Sequence, residues 1–112
     1  MGLAGSSALV TATLRCLMDF YCLSPSDVPK EVMPQLILEV EVSELNIQAG
    51  LQDRVVQVYE GLVSMDFAEE LMASRGHGDY RNLSPAALPQ FFLAYQRDPS
   101  DSGRIHSDVR AR

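Results

Sequence analysis

The chain has 112 residues, a net charge of −6, 46% hydrophobic and 21% charged residues, which bounds it to one globular domain at most and leaves no apolar run of membrane-spanning length. Fifteen acidic residues against nine basic ones exclude the phosphate backbone of nucleic acid as the expected partner, because affinity for that backbone comes from Lys and Arg. No basic region precedes a long apolar segment near Met1, so no signal peptide is read and a cytoplasmic location is expected.

The opening stretch Gly2, Leu3, Ala4, Gly5, Ser6, Ser7, Ala8 runs directly into an apolar helical pattern. Small residues, two hydroxyls and a helix start form an anion-binding arrangement, since backbone can approach a ligand at Gly2 and Gly5 and the first N–H groups of a helix lack internal partners. The plainer alternative is Ser6 or Ser7 as an ordinary N-cap. From Ser7 to Leu23 the apolar positions Leu9, Val10, Thr13, Leu14, Leu17, Met18, Phe20 and Tyr21 recur at three and four, predicting a helix with a mostly buried circumference. Cys16 and Cys22, six apart, fit neither a zinc pair nor a disulfide and are expected as buried thiols.

Ser24–Pro29 concentrates turn formers. Pro34 suits the first turn of a helix through Gln35–Leu45, although Leu36–Val42 also alternates in the manner of a strand. Gly50 opens another helix with Leu51, Val55, Val58 and Tyr59 on one face, and Gly61 ends it. Leu62–Phe67 alternates as a strand, and Ala68–Ser74 is a short helix with acidic residues in its first turn. Gly76–Tyr80 and Asn82–Pro85 are expected as loops, and His77 between two glycines is a turn or a loop able to reach a ligand. Gln90–Tyr95, aromatic and uncharged, is the strongest strand candidate and is expected centrally in a sheet; a possible helix begins at Ile105. The class is α+β. Its sheet has too few strands to cover Gln90–Tyr95, so pairing with a missing segment or a separate chain is expected.

Two of these stretches together carry a resemblance. Gly2–Ala8 resembles the second motif of the GHMP kinases, a Gly-rich Ser-Ser-Ala loop around a nucleotide triphosphate. Gly50–Arg54 (GLQDR) resembles the segment bearing the acidic residue beside the phosphoryl acceptor. The pattern is similar in particular to plant-type glucuronokinases, which are sugar-1-kinases, through Asp19–Tyr21, Ala49–Arg54, Gly61–Val63, Met65–Phe67, Gly76–Gly78 and Pro99–Gly103 with His106 and Ser107. The loop is not a Walker A sequence, because no Gly-Lys-Ser/Thr follows.

The resemblance implies a GHMP kinase fold (ribosomal protein S5 domain 2-like), present in part over residues 1–112. The family's first motif would precede Met1 and its third would follow Arg112. It implies ATP and Mg²⁺, a sugar or sugar acid as acceptor, nucleotide binding by Gly2–Ala8, a catalytic Asp53, and Ser7 as a metal ligand. Related kinases carry a metal-binding Glu eleven or twelve positions before the catalytic Asp. Here Val42 stands at eleven and cannot ligate, while Glu41 stands at twelve, so either a local shift in the helix brings Glu41 to the metal or the metal site is impaired. Each acidic residue keeps a plainer alternative: Asp53 as a helix-start carboxylate, and Glu41 as one of several solvent-facing carboxylates with Glu39 and Glu44. A uronic acid carboxylate would suit Arg54 or Arg104, and Ser102 and His106 lie in the same polar cluster as Arg104. The alternative function is a non-catalytic relative that binds nucleotide or another protein.

Overall fold

Residues 5 to 20 contain no proline, and in the computed structural model, which describes residues 4–94, they form α1 (Gly5–Phe20). One row of this helix faces inward. Ser7 and Thr11 are buried, and Val10, Leu14 and Met18 pack on the core beyond them. The second apolar row points to solvent, with Leu9 72% exposed and Leu17 and Phe20 also exposed, so the expected buried circumference is corrected to a single stripe. Two rows a third of a turn apart cannot both meet one neighbouring layer. Both cysteines are exposed thiols rather than buried ones.

After the Ser24–Pro29 turns, where the Ser24 backbone N–H donates to the Asp27 carboxylate at 2.8 Å, α2 (Met33–Glu39) begins with Pro34 in its first turn. Pro is tolerated there because the first N–H groups have no intrahelical acceptor. The helical reading of the following residues holds, and the strand alternative falls, but the geometry changes: Val40–Glu44 is a π-helical turn, closed by the Leu45 N–H on the Val40 carbonyl at 3.2 Å. Met33, Ile37 and Glu41, four apart, form its buried row.

Gly50, extended at φ −116° and ψ 160°, leads into α3 (Leu51–Tyr59). Arg54, Val55 and Val58 are its buried residues. The helix ends where Glu60 and Gly61 both take positive φ. Arg15 of α1 closes that end, donating to the Glu60 carboxylate at 2.8 Å and to the Val58 carbonyl at 3.2 Å, the favourable placement for a cation at a helix C-terminus. Helices α1, α2 and α3 pack on one another around Met33, Ile37 and Val58, with Val28 and Tyr59 at the edge.

Strand β1 (Leu62–Asp66) is followed by α4 (Glu69–Arg75) and by β2 (Asp79–Leu83), which pairs with β1 antiparallel from Leu62 opposite Leu83 to Asp66 opposite Asp79. The expected loops around residue 80 are therefore corrected to a strand. Gly78 makes the pairing possible, because a Cβ there would lie 2.3 Å from the Asp66 carbonyl oxygen. Tyr80 is buried edge-on against Tyr59 at 5.6 Å and beside Phe67 at 5.7 Å, which fastens the hairpin to the helices.

The expected strand from Gln90 is corrected as well. Residues 90–94 have no regular structure and Phe92 is 90% exposed; Tyr95 and the possible helix from Ile105 lie outside the described residues. Aromatic content suits a half-buried pleated surface but does not supply a neighbour, and Asp79–Leu83, delivered by the short α4 connection, occupies the edge of β1. Helices on a small antiparallel sheet make the fold α+β. Among the described residues no helix is long and apolar enough to cross a membrane.

Candidate functional site

The start of α1 has an unusual geometry for an ordinary cap. Ala4 occupies the N-cap position in the left-handed conformation, φ 52° and ψ 41°, and no side chain among the described residues caps the helix. The Ser7 hydroxyl instead donates back to the Ala4 carbonyl at 2.8 Å, so the N-cap reading of Ser6 or Ser7 is corrected. The N–H groups of the first turn have no acceptor within the helix. A Cβ at Gly5 would meet nothing within 4 Å, leaving open space beside that turn. A left-handed non-glycine residue costs about 1–2 kcal/mol and persists only where the surroundings enforce it.

Beneath this turn lies a polar cluster. Glu41, on the π-helical turn, is fully buried at 0% exposure, whereas Val42 next to it is 41% exposed. The solvent-facing alternative for Glu41 is thereby overturned. Its Oε2 accepts from Arg54 Nε in a buried ion pair, and its Oε1 is buried without a hydrogen-bond partner among the described residues. Burial acts to raise the Glu41 carboxyl, yet the Arg54 hydrogen bond, the Ser6 hydroxyl and the Arg54 charge together outweigh it and hold the carboxyl below its ordinary value. Glu41 is thus held as a carboxylate at the foot of α1.

Arg54 extends the cluster to α3. Its Nη1 donates to the Gly50 carbonyl at 3.0 Å and lies 3.4 Å from Asp53 Oδ2. Asp53, in the first turn of α3, keeps a 57% exposed side chain. Ser6, Glu41, Asp53 and Arg54 are therefore brought together from three separate segments, while the buried Ser7 turns its hydroxyl to the Ala4 carbonyl. Gly2 and Leu3 of the opening loop, and Ser102, Arg104 and His106 of the distal polar cluster, lie outside the described residues. His77 turns its Nδ1 onto the Gly78 carbonyl at 2.8 Å in the β-hairpin connection. Sequence reading placed Arg54 as a contact for a substrate carboxylate and missed its burial. The available signal was charge complementarity: Glu41 lies four after the inward Ile37, and Arg54 lies four before the inward Val58.

A cation fits the donor set. Glu41 Oε1 is a hard oxygen with no hydrogen-bond partner among the described residues, and the Ser6 and Ser7 oxygens belong to the same end of α1. No group of three or more His, Cys, Asp or Glu residues able to hold a metal occurs among the described residues. A separate cavity of about 500 Å³, lined by Met18, Val28, Met33, Val58 and Tyr59 among others, lies toward the C-terminal ends of α1 and α3; none of the site residues expected from the sequence lines it.

Residues 1–61 match the model of the GHMP kinases N terminal domain. The chain is 51% identical over 111 residues to a protein of Arabidopsis thaliana named Glucuronokinase 1, and 54% identical over 112 residues to Probable glucuronokinase 2 of the same plant. Each match covers 99% of this chain and 30% of the relative, so the chain spans about a third of the length of the curated proteins it matches. No solved structure matches it.

Proposed function

Since the chain belongs to the GHMP kinase family, we propose that it carries the phosphate loop and acceptor side of a sugar-1-kinase, which transfers the γ-phosphoryl group of ATP to the anomeric hydroxyl of a sugar acid such as glucuronate. The observation that carries this reading is the buried Glu41 with its partnerless Oε1 beneath the uncapped start of α1, linked through Arg54 to the exposed Asp53. The proposal takes the domain to be part of a ribosomal protein S5 domain 2-like GHMP fold, with nucleotide binding by Gly2–Ala8.

Phosphoryl transfer asks for positioning and charge compensation more than for covalent chemistry from the protein. In this reading the N–H groups of the first turn of α1 receive phosphate oxygens, aided by the positive end of the helix. Open space at Gly5 supports a close approach of the ligand. Asp53 accepts the proton of the anomeric hydroxyl as that oxygen bonds to the γ-phosphorus and the bond to ADP breaks, and its exposure leaves it accessible to an acceptor. Glu41 Oε1 with a hydroxyl of Ser6 or Ser7 would hold Mg²⁺. When bound, that ion supplies charge neutralisation on the phosphates. Arg104, Ser102 and His106 remain proposed contacts for the sugar acid; Arg54 has only Nη2 left for such a contact, its other nitrogens already facing Glu41, Gly50 and Asp53.

ADP release in a coupled assay with glucuronate and Mg-ATP tests the reading. Turnover is expected in the full-length reading frame, with a fall of about 10²–10⁴-fold in its Asp53→Asn variant. Turnover unchanged by that substitution would remove Asp53 from the mechanism.

A further inference from the structure

We propose that Arg54 is a positioning residue of this site, holding the carboxylates of Glu41 and Asp53 in one fixed relation; the inference rests on the kinase reading above. Glu41 and Asp53 sit on different elements, the π-helical turn and α3, and the guanidinium is the group that touches both. Its Nε meets Glu41 Oε2, while Nη1 meets the Gly50 carbonyl and faces Asp53. A guanidinium is planar with its donors in a rigid fork, so these acceptors are set relative to one another by one side chain. Arg54 is itself almost completely buried, its side chain 4% exposed, and the Gly50 contact anchors it one turn ahead along its own helix.

Stability does not explain the arrangement. A buried ion pair contributes little over well-packed apolar residues of the same volume, and here one carboxylate oxygen is left without a partner. What the pair does provide is a defined relation between a buried carboxylate beside Ser6 of α1 and an exposed carboxylate in the first turn of α3. Misplacing either by a fraction of the distance needed for in-line transfer lowers turnover far more than binding. Lysine keeps the charge but offers a single nitrogen on a flexible stem, so it cannot set both contacts.

Two measurements on the full chain test this. The first needs no nucleotide: in ¹H–¹⁵N spectra the Arg54 Nε–H signal is expected to be protected from exchange and to move in Asp53→Asn, although Asp53 is not its direct partner. A signal indifferent to Asp53 would overturn the coupling. The second compares steady-state kinetics of wild type and Arg54→Lys. The expected result is a fall in kcat of tenfold or more, with KM for the sugar acid within about threefold. A folded Arg54→Lys protein with wild-type kcat, or one in which only KM rises, would overturn the inference in favour of a structural or a substrate-binding role. If Arg54→Lys fails to fold, the spectroscopic test decides. Absence of phosphotransfer in the wild type would instead refute the kinase reading, and positioning for catalysis with it.

Discussion

At one end of the helical layer the start of α1, the turn after α2 and α3 come together at Ser6, Glu41 and Arg54; one to two turns further along, α2 and α3 meet through Met33, Ile37 and Val58, with Val10, Leu14 and Met18 of α1 packed against them. The apolar end follows the ordinary logic of burial, with each fully buried aliphatic side chain contributing about 1.5–3 kcal/mol. The polar end has no such return, since desolvation of two charges roughly cancels their attraction. Two ends of one packing layer therefore answer to different demands: the apolar end holds the helices together, and the polar end determines what they present at the start of α1.

The largest effect should come from breaking the polar end on one side only. Glu41→Ala leaves the Arg54 cation buried and unpaired and is expected to lower stability by about 3–5 kcal/mol in denaturant unfolding, whereas the double substitution Glu41→Leu with Arg54→Met should be close to neutral while abolishing Mg-ATP binding by calorimetry. The same pair sets an acid limb. The folded-state Glu41 carboxyl lies below its ordinary value of 4.5, so its stabilisation is fully present above that value and is lost as pH falls through the lowered one. The wild type should lose stability along this limb and the double variant should not; Asp27 and Asp79, lowered by their Ser24 and Arg81 partners, are common to both and cancel in the difference.

A smaller change sharpens the contrast from the other side. Ile37→Val, trimming the apolar end, should cost about 1 kcal/mol and leave Mg-ATP affinity within twofold of wild type. Ala4→Gly removes the left-handed Cβ and gives back part of that gain through the freer unfolded chain, so a net stabilisation of about 0.5 kcal/mol is expected in the melting curve. Least of all, Asp53→Asn on the exposed face should shift stability by under about 0.5 kcal/mol, whatever its effect on the proposed phosphoryl transfer, which is the separation of roles that the two ends imply.

The sequence made the helices legible wherever period and punctuation agreed: Gly50 before α3, Pro34 in the first turn of α2, and the acidic first turn of α4. It misjudged how much of α1 is covered, because an apolar residue at helical spacing states a face but not whether anything packs on it. Asp79–Leu83 was hidden as a strand by its charged and amide side chains, which reflect a lightly buried edge, and Gln90–Ala94 had strand composition without a neighbour. Within the candidate site, the start of α1, Glu41 and Asp53 are expected from the family resemblance, and the structure places Ser6, Glu41 and Asp53 in one neighbourhood. The burial of Arg54 is not, since a basic residue in an amphipathic helix is ordinarily solvated, and its partner lies thirteen positions back on another element.

The π-helical turn at Val40–Glu44 works as a slip joint. A turn closed from i to i+5 holds one residue more than the α-turn it replaces, so a single residue can be added to or taken from the segment while both flanking helices stay in place. Intervals of eleven and twelve residues can then deliver a carboxylate to the same point in space ahead of the same aspartate. In this chain the turn stands at the head of the twelve-residue interval that separates Glu41 from Asp53.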